Sequence, residues 1–237
     1  MRTWLHAFAV LAFAQAACAA PGTVQLSWNA CNPVVANQAT GQASYALYAS
    51  VLGNDTFHRG HEIDIQYYDP SDGVPDAWRF DPAGCQGSAL ATLYHMPPSA
   101  VVKSCPAFSQ LAGAVAVKSL DFDPPSSPYQ DTHMRIFISS GYSDGATANP
   151  ATRYFLAGVL FEHAFSVVGP GDPGNSCGGF ETPMTFLLTK AVYSDANLLE
   201  VDFDRQVSPG HPIQLTFNDP SPARPSTWGA IRSQYRR

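Results

Sequence analysis

The amino-acid sequence predicts an all-β fold: an antiparallel two-sheet β-sandwich of about ten strands, stapled by disulfides. The first observation behind this prediction is that apolar and polar residues alternate with a period of two in one segment after another. The second is the composition, since only 14% of the residues are charged while 20 prolines, 18 glycines and 12% aromatic residues suit strands joined by tight turns. The third is a set of widely spaced cysteines.

The clearest strand is 62–68, where Ile63, Ile65 and Tyr67 point one way and Glu62, Asp64 and Gln66 the other. The same alternation occurs at Val24/Leu26/Trp28, Met134/Ile136/Ile138, Met184/Phe186/Leu188, Leu199/Val201/Phe203 and Ile213/Leu215/Phe217. Weaker strand candidates are 43–52, 90–94 and 114–120, and turn formers cluster at 69–73, 123–125, 169–174 and 218–220. Two sheets facing one core accommodate this many strands.

One segment, 152–168, is apolar almost throughout and fits either a helix or a long strand. Its bulk is aromatic and β-branched, and Gly158 lies inside it. These residue types favour a long central strand that is buried on both faces.

The N-terminus has the three-part order of a signal peptide. Arg2 supplies a positive start, 7–14 is apolar, and small residues follow it. The apolar run is too short to span a bilayer, which needs about 20 residues. We therefore expect residues 1–19 to be removed, residues 20–237 to form a single domain, and the mature protein to be secreted or periplasmic. Lipidation of Cys18 is the alternative, although Gln15 stands where such signals usually carry a leucine-like residue.

Cleavage after Ala19 removes one of 13 basic residues and none of 19 acidic ones, so the net charge changes from −6 to −7. Such a surface repels nucleic-acid phosphates, and no other segment is long enough to span a membrane. The C-terminus is a short basic tail containing Arg224, Arg232, Arg236 and Arg237. Either a solvated tail, or contact with an acidic wall polymer or a membrane surface, explains it.

Four cysteines remain after cleavage, and in an exported chain they indicate two disulfides. Three pairings are possible. Because Cys85 and Cys105 flank one weak strand, we predict a local bridge between them, which leaves Cys31 to pair with Cys177.

Short landmarks along the chain resemble a known group of proteins. They are LSWNAC at 26–31, PDAWRFDPAGC at 75–85, the glycine-flanked Cys177 and STW at 226–228. The chain is similar to uncharacterised secreted bacterial proteins with LSW-x-x-C, P-x-W-W, G-x-C-R and TWQ landmarks, although Arg79 replaces their second tryptophan. The resemblance implies secretion and a β-rich fold, and it assigns no activity or functional residue.

The segment 141–145, GYSDG, fits the G-x-S-x-G elbow that exposes a nucleophilic serine in α/β-hydrolases. Ser143 followed by Asp202 (or Asp195) and His211 would complete a triad. The elbow requires a helix directly after the serine, but Pro150 follows too closely. We therefore expect Ser143 in a turn after a strand, out of hydrogen-bond reach of His163 and His211.

Two further groups suggest metal binding. His58, His61, Glu62 and Asp64 lie close in sequence, but a strand there separates the two histidines and leaves both carboxylates outward. Loop carboxylates can hold calcium, for which Asp69, Asp72 and Asp76 are the candidates, with Asp121/Asp123 and Asp202/Asp204 as further acidic pairs. Because Asx turns explain loop aspartates equally well, we expect no metal and name calcium as the alternative cofactor.

Exposed rings can stack on sugars. The candidates for such a platform are Trp28, Trp78, Trp228, Tyr67, Tyr68 and Tyr94, although core positions are commoner for tryptophan in a sandwich. The sequence thus predicts a non-enzymatic surface, adhesion or binding module whose partner is an extracellular polysaccharide or protein. The alternative is a secreted ester or glycan hydrolase acting through Ser143.

Overall fold

Eleven strands, a 3₁₀ turn and a short helix make up the part of the chain that the computed structural model describes. That part comprises residues 22–39, 44–69, 73–81, 84–86, 91–94, 105–123, 133–163, 177–205 and 213–219. The strands are β1 (Val24–Trp28), β2 (Asn37–Gln38), β3 (Ser44–Leu52), β4 (Phe57–Tyr68), β5 (Ala91–Tyr94), β6 (Val115–Asp123), β7 (Met134–Thr147), β8 (Arg153–Glu162), β9 (Met184–Ser194), β10 (Glu200–Asp202) and β11 (Gln214–Phe217). The 3₁₀ turn covers Asp76–Trp78 and helix α1 covers Phe108–Ala112.

The strands form two sheets, as the sequence predicts. One has four strands in the order β1-β3-β8-β5, and the other has seven, in the order β2-β11-β9-β4-β7-β6 with β10 also paired to β9. Neighbouring strands are antiparallel except for β2 and β11, which run parallel. The predicted antiparallel two-sheet sandwich is therefore confirmed, with this one parallel pair at the edge of the larger sheet. A hydrogen bond from Thr216 Oγ1 to Asn37 Oδ1, 3.0 Å, lies across the parallel pair.

The apolar faces of the strands meet between the sheets. Ile63, Ile65 and Tyr67 are fully buried there, whereas Glu62 and Gln66 on the opposite face are partly exposed. Strand β8 is buried on both faces from Tyr154 to Val159. The predicted central strand is therefore confirmed over the described part of 152–168, and the remainder of that segment lies outside the described residues.

Aromatic rings fill the middle of the core. Phe186 of β9 is stacked on Tyr67 of β4, with ring centroids 5.1 Å apart. It meets Trp28 of β1 edge-on at 4.9 Å and Phe161 of β8 at 5.7 Å. Since Trp28 and Phe161 belong to the four-stranded sheet, Phe186 joins the two sheets directly.

A second, smaller apolar cluster covers the outer face of the four-stranded sheet. Its buried members are Cys31, Ala46, Tyr48, Cys105, Ala107 and Phe155. A register shift at Ala49/Ser50 interrupts the pairing of β3 with β8, and the Phe155 N–H instead donates to Pro106 O at 2.9 Å. The segment around Pro106 therefore packs on this outer face and buries it.

The predicted disulfide pairing is wrong, although all four cysteines are bridged. Cys31 pairs with Cys105 and Cys85 with Cys177, with Cα–Cα distances of 5.9 and 5.7 Å. The prediction relied on closeness in sequence. In the fold, Cys105 begins the segment that packs beside Cys31, while the 3₁₀ turn before Cys85 lies against the residue after Cys177, with Ala77 N–H donating to Gly178 O at 2.9 Å.

Several predictions concern residues outside the described part of the chain. They include the signal peptide, the lipidation of Cys18 and the basic C-terminal tail. Asp72, His211 and Trp228 lie outside it as well. Among the described residues, no helix is both long and apolar enough to cross a membrane.

Two glycines, one in a tight contact and one in open space, offer a matched test of the packing. A Cβ on Gly53 would lie 2.0 Å from the Asn149 carbonyl oxygen, whereas a Cβ on Gly178 would meet nothing within 4 Å. We expect Gly53→Ala to lower the free energy of unfolding by about 1–3 kcal/mol, as overpacked sites do. Gly178→Ala should change it by less than about 0.5 kcal/mol. Urea unfolding of both variants measures this, and equal effects would contradict the described contact.

Candidate functional site

Ser143 does not occupy a nucleophile elbow. It is an exposed residue within β7, its hydroxyl donates to Asp144 Oδ2 at 3.2 Å, and its N–H donates to Ala114 O. Strand β7 continues to Thr147, so the helix that the elbow requires does not follow. The prediction that Ser143 lies in a turn is also wrong. Strand β7 continues through Ser143, beyond the irregular pairing with β4 near His58.

The proposed partners of Ser143 have other roles or lie outside the described chain. Asp202 is exposed on β10, and Asp195 caps the turn before it by accepting the N–H groups of Asn197 and Leu199. His211 is not among the described residues. His163 is fully buried, and its Nδ1 donates to Ala77 O at 2.9 Å. The described chain therefore assembles no serine triad.

The histidines and carboxylates of the suggested metal site at 58–64 do not come together in the structure. His58 is buried and stacked on Tyr193 with ring centroids 4.0 Å apart. His58 Nε2 lies 2.9 Å from Asn54 Oδ1, and His61 Nδ1 lies 3.0 Å from the Tyr142 hydroxyl. Among the described residues, no three histidine, cysteine or acidic side chains come close enough to hold a metal ion.

The calcium candidates lie near one turn. Asp69 N–H donates to Gly73 O, and Asp76 begins the 3₁₀ turn. Asp72 between them lies outside the described residues, as do the side chains of Asp121 and Asp123. Calcium binding at this turn therefore stays the alternative to the expectation of no metal.

Three of the four aromatic candidates for sugar stacking whose side chains the structure describes are core residues. Trp28, Trp78 and Tyr67 are fully buried between the sheets, where Trp28 donates from Nε1 to Thr216 O and Tyr67 donates to Trp78 O. Tyr68 is partly exposed, and its ring lies 4.4 Å from that of His133. Trp228 and the side chain of Tyr94 are not described.

The outer surface of the seven-stranded sheet carries a network of charged residues. We call this surface the charged sheet face; its members are Glu62, Asp64, Arg135, Phe137, Lys190 and Glu200. Arg135 Nε donates to Asp64 Oδ2 at 2.7 Å, and the guanidinium carbon lies 5.2 Å from the centre of the Phe137 ring. Register explains the cluster, because Asp64 of β4 lies directly between Phe137 of β7 and Lys190 of β9.

Lys190 extends the network towards the sheet edge. Its ammonium group lies 2.8 Å from Glu62 Oε2 and 3.4 Å from Glu200 Oε2. The hydrogen bond to Glu62 raises the pKa of Lys190 above its ordinary value. The charged sheet face is therefore a row of fixed, paired charges across four strands, with one aromatic ring under a cation.

Sequence reasoning found only part of this face. Alternation in 62–68 placed Glu62 and Asp64 outward, but their cationic partners are 128 and 71 residues away along the chain. No local signal reveals such a pair. Strand order and register are needed to bring the partners together.

Comparison with solved structures finds low-level likeness to cohesin modules. One, from a family 33 glycoside hydrolase of Clostridium perfringens, is 10% identical, with 78% of this chain and 92% of that chain covered and a TM-score of 0.33. A non-cellulosomal cohesin of the hyperthermophilic archaeon Archaeoglobus fulgidus is 9% identical, with 82% and 89% covered and a TM-score of 0.33.

A third structure, a type I cohesin–dockerin complex from Clostridium thermocellum, is 10% identical, with 85% of this chain and 96% of that chain covered and a TM-score of 0.32. No protein-family model and no curated protein matches the sequence. These likenesses assign no function to the chain.

Two buried histidines make stability depend on pH. Burial lowers the pKa of His58 from 6.5 to about 4. Burial also lowers the pKa of His163 to about 4, against the opposing effect of its hydrogen bond to Ala77. Both rings are therefore neutral in the folded protein at pH 7 and must stay neutral as the pH falls below 6.5, where the unfolded chain takes up protons.

We expect the two histidines to leave the free energy of unfolding at its full value above pH 6.5. Below that pH, the free energy of unfolding should fall progressively down to about pH 4. The loss should be roughly 2–3 kcal/mol per pH unit for the two histidines together near pH 5. Urea unfolding at pH 7.5, 6 and 5 measures it. His163→Gln should reduce the pH dependence by about half. His133→Gln, at a partly exposed position, is the control, and an unchanged pH profile in the His163 variant would refute the assignment.

Proposed function

We propose that the chain is an exported, non-enzymatic module that binds an extracellular protein through the charged sheet face. The observation that supports the proposal most strongly is the fixed arrangement of Arg135, held by Asp64 and lying over Phe137. Arginine and aromatic side chains are the residues most enriched at the centres of protein interfaces. Their geometry is set by two neighbouring strands, β4 and β7, so binding would cost little ordering of side chains.

Export is supported by the cysteines. Both disulfides of the described chain bridge segments far apart in sequence, 74 and 92 residues. Such bridges form and persist in oxidising compartments, and they are rare in the cytosol. The predicted signal peptide at residues 1–19 agrees with this compartment.

A non-enzymatic role is supported by the positions of the reactive side chains. Ser143 lies within a strand with its hydroxyl on Asp144. His58 and His163 are buried among aromatic rings and have pKa values of about 4. A general base works best with a pKa near the operating pH, so both histidines are poorly suited to that task.

A protein partner is favoured over a polysaccharide by the chemistry of the face. Polysaccharide binding relies on exposed aromatic rings, and Trp28, Trp78 and Tyr67 lie in the core instead. The charged sheet face presents both signs of charge in a fixed pattern. Such a pattern discriminates between protein partners through charge complementarity.

Photocrosslinking from the charged sheet face tests the proposal. We expect p-benzoylphenylalanine in place of Phe137 to capture a protein from the extracellular fraction of the producing cells. The same photoreactive group in place of Leu160, which packs at the outer cluster of the other sheet, is the position control. The double variant Asp64→Asn/Arg135→Met removes both charges without leaving a buried carboxylate unpaired, and it should abolish capture.

The hydrolase alternative is tested on the same preparation. A fluorophosphonate probe should leave Ser143 unlabelled, and chromogenic esters and soluble polysaccharides should not be turned over. Labelling of Ser143, or an esterase activity that Ser143→Ala abolishes, would replace the binding proposal with the hydrolase. Equal capture from positions 137 and 160 would refute the charged sheet face as the site.

A further inference from the structure

The hairpin between β9 and β10 has a rigid turn. The Asp195 carboxylate accepts the N–H groups of Asn197 at 2.8 Å and Leu199 at 2.9 Å. Asp195 N–H donates to Leu199 O at 3.0 Å, and Leu198 N–H donates to Asp195 O at 3.1 Å. These bonds fix the turn, and the one from Leu199 is the main cause of the lowered pKa of Asp195.

This rigid hairpin displays large apolar side chains to solvent. Leu198 is 66% exposed, Leu199 63% and Val201 38%. Among the described residues, the one other exposed large apolar side chain is Leu111, at 46%. The predicted apolar face Leu199/Val201/Phe203 is therefore buried only at Phe203, and the hairpin extends beyond the core.

Leu198 is an unexpected residue for its backbone conformation. Its φ is +64°, in the left-handed region that favours glycine or asparagine. A leucine there holds a strained backbone conformation, and its side chain buries little apolar surface in return. Folding does not explain this choice, whereas contact with a partner would.

The outer edge of β10 offers free backbone groups. Asp195 N–H bonds to Leu199 O and Phe203 N–H bonds to Ala191 O, so residues 199, 201 and 203 direct their backbone groups towards β9. By alternation, the N–H and C=O groups of Glu200 and Asp202 point away from β9. Among the described residues, β10 pairs with β9 alone. A strand added at this edge would meet about four backbone groups.

The charge of the edge selects the kind of strand. Asp195, Glu200 and Asp202 surround it, while the nearby Lys190 is already paired with Glu62 and Glu200. A second copy in antiparallel pairing would set Glu200 against Asp202, and like charges directly opposite are destabilising. An anionic membrane would be repelled in the same way.

We propose that the β10 edge binds an extended segment of a partner protein by strand addition. Residues of the segment that face Leu199 and Val201 are apolar, and those that face Glu200 and Asp202 are lysine or arginine. Cross-strand pairing of this kind gives specificity, and the backbone hydrogen bonds give affinity. This proposal shares Glu200 with the charged sheet face, but it goes beyond that surface because it uses the backbone edge of β10 and the exposed side chains of Leu199 and Val201.

The test uses the mature chain and two blocked seven-residue peptides, one alternating lysine with valine and the other alternating glutamate with valine. We expect the lysine peptide to bind in a fluorescence anisotropy titration and the glutamate peptide not to bind. On binding, amide exchange observed by NMR should slow at Glu200 and Asp202. The already bonded amides of Leu199 and Val201 should not change.

Matched variants complete the test. Leu199→Ser/Val201→Thr should weaken binding of the lysine peptide by about tenfold or more, a difference of 1.4 kcal/mol. Leu111→Ser, an exposed leucine elsewhere, should leave binding unchanged. Equal binding of both peptides, or an equal loss in the Leu111 variant, would overturn the proposal. Slow amide exchange at Glu200 in the protein without peptide would indicate that a second copy covers the edge instead. Binding of the protein to phosphatidylglycerol vesicles without peptide would indicate a membrane.

Discussion

The interleaving of aromatic rings between the two sheets is the interaction on which the rest of the structure depends. Phe186 contacts Trp28 and Phe161 of the four-stranded sheet and Tyr67 of its own. Burying one such ring is worth about 1.5–3 kcal/mol, and ring pairs add about 0.5–1.5 kcal/mol beyond that. This cluster holds the two sheets face to face, and within the seven-stranded sheet the register of β4 against β7 brings Arg135 within hydrogen-bond reach of Asp64.

The same core accounts for the positions of several residues that suggest chemistry in the sequence. The Trp28 N–H donates to a backbone carbonyl, and His163 donates to Ala77. Buried polar groups require such partners, so the core uses these side chains for folding. Among the described residues, the charged sheet face and the β9–β10 hairpin lie outside this core, at the surface.

Local patterns predicted the strands well because alternation directly reflects which face is buried. Ile63, Ile65 and Tyr67 point inward as predicted, and the ambiguous segment 152–168 is a strand over its described part. Long-range features were not predictable in the same way. The partner of Cys31 depends on where the segment at Pro106 packs, and the exposure of Leu199 depends on the position of the β9–β10 hairpin outside the core.

The most direct measurement of the central claim is amide hydrogen exchange of Phe186→Ala alongside its equilibrium unfolding. The account predicts one cooperative transition with a free energy of unfolding lower by about 3–5 kcal/mol. Protection should fall together in β3 and β8 of one sheet and in β4 and β9 of the other. Loss of protection confined to the seven-stranded sheet would show that the two sheets are stabilised separately, and it would contradict the account.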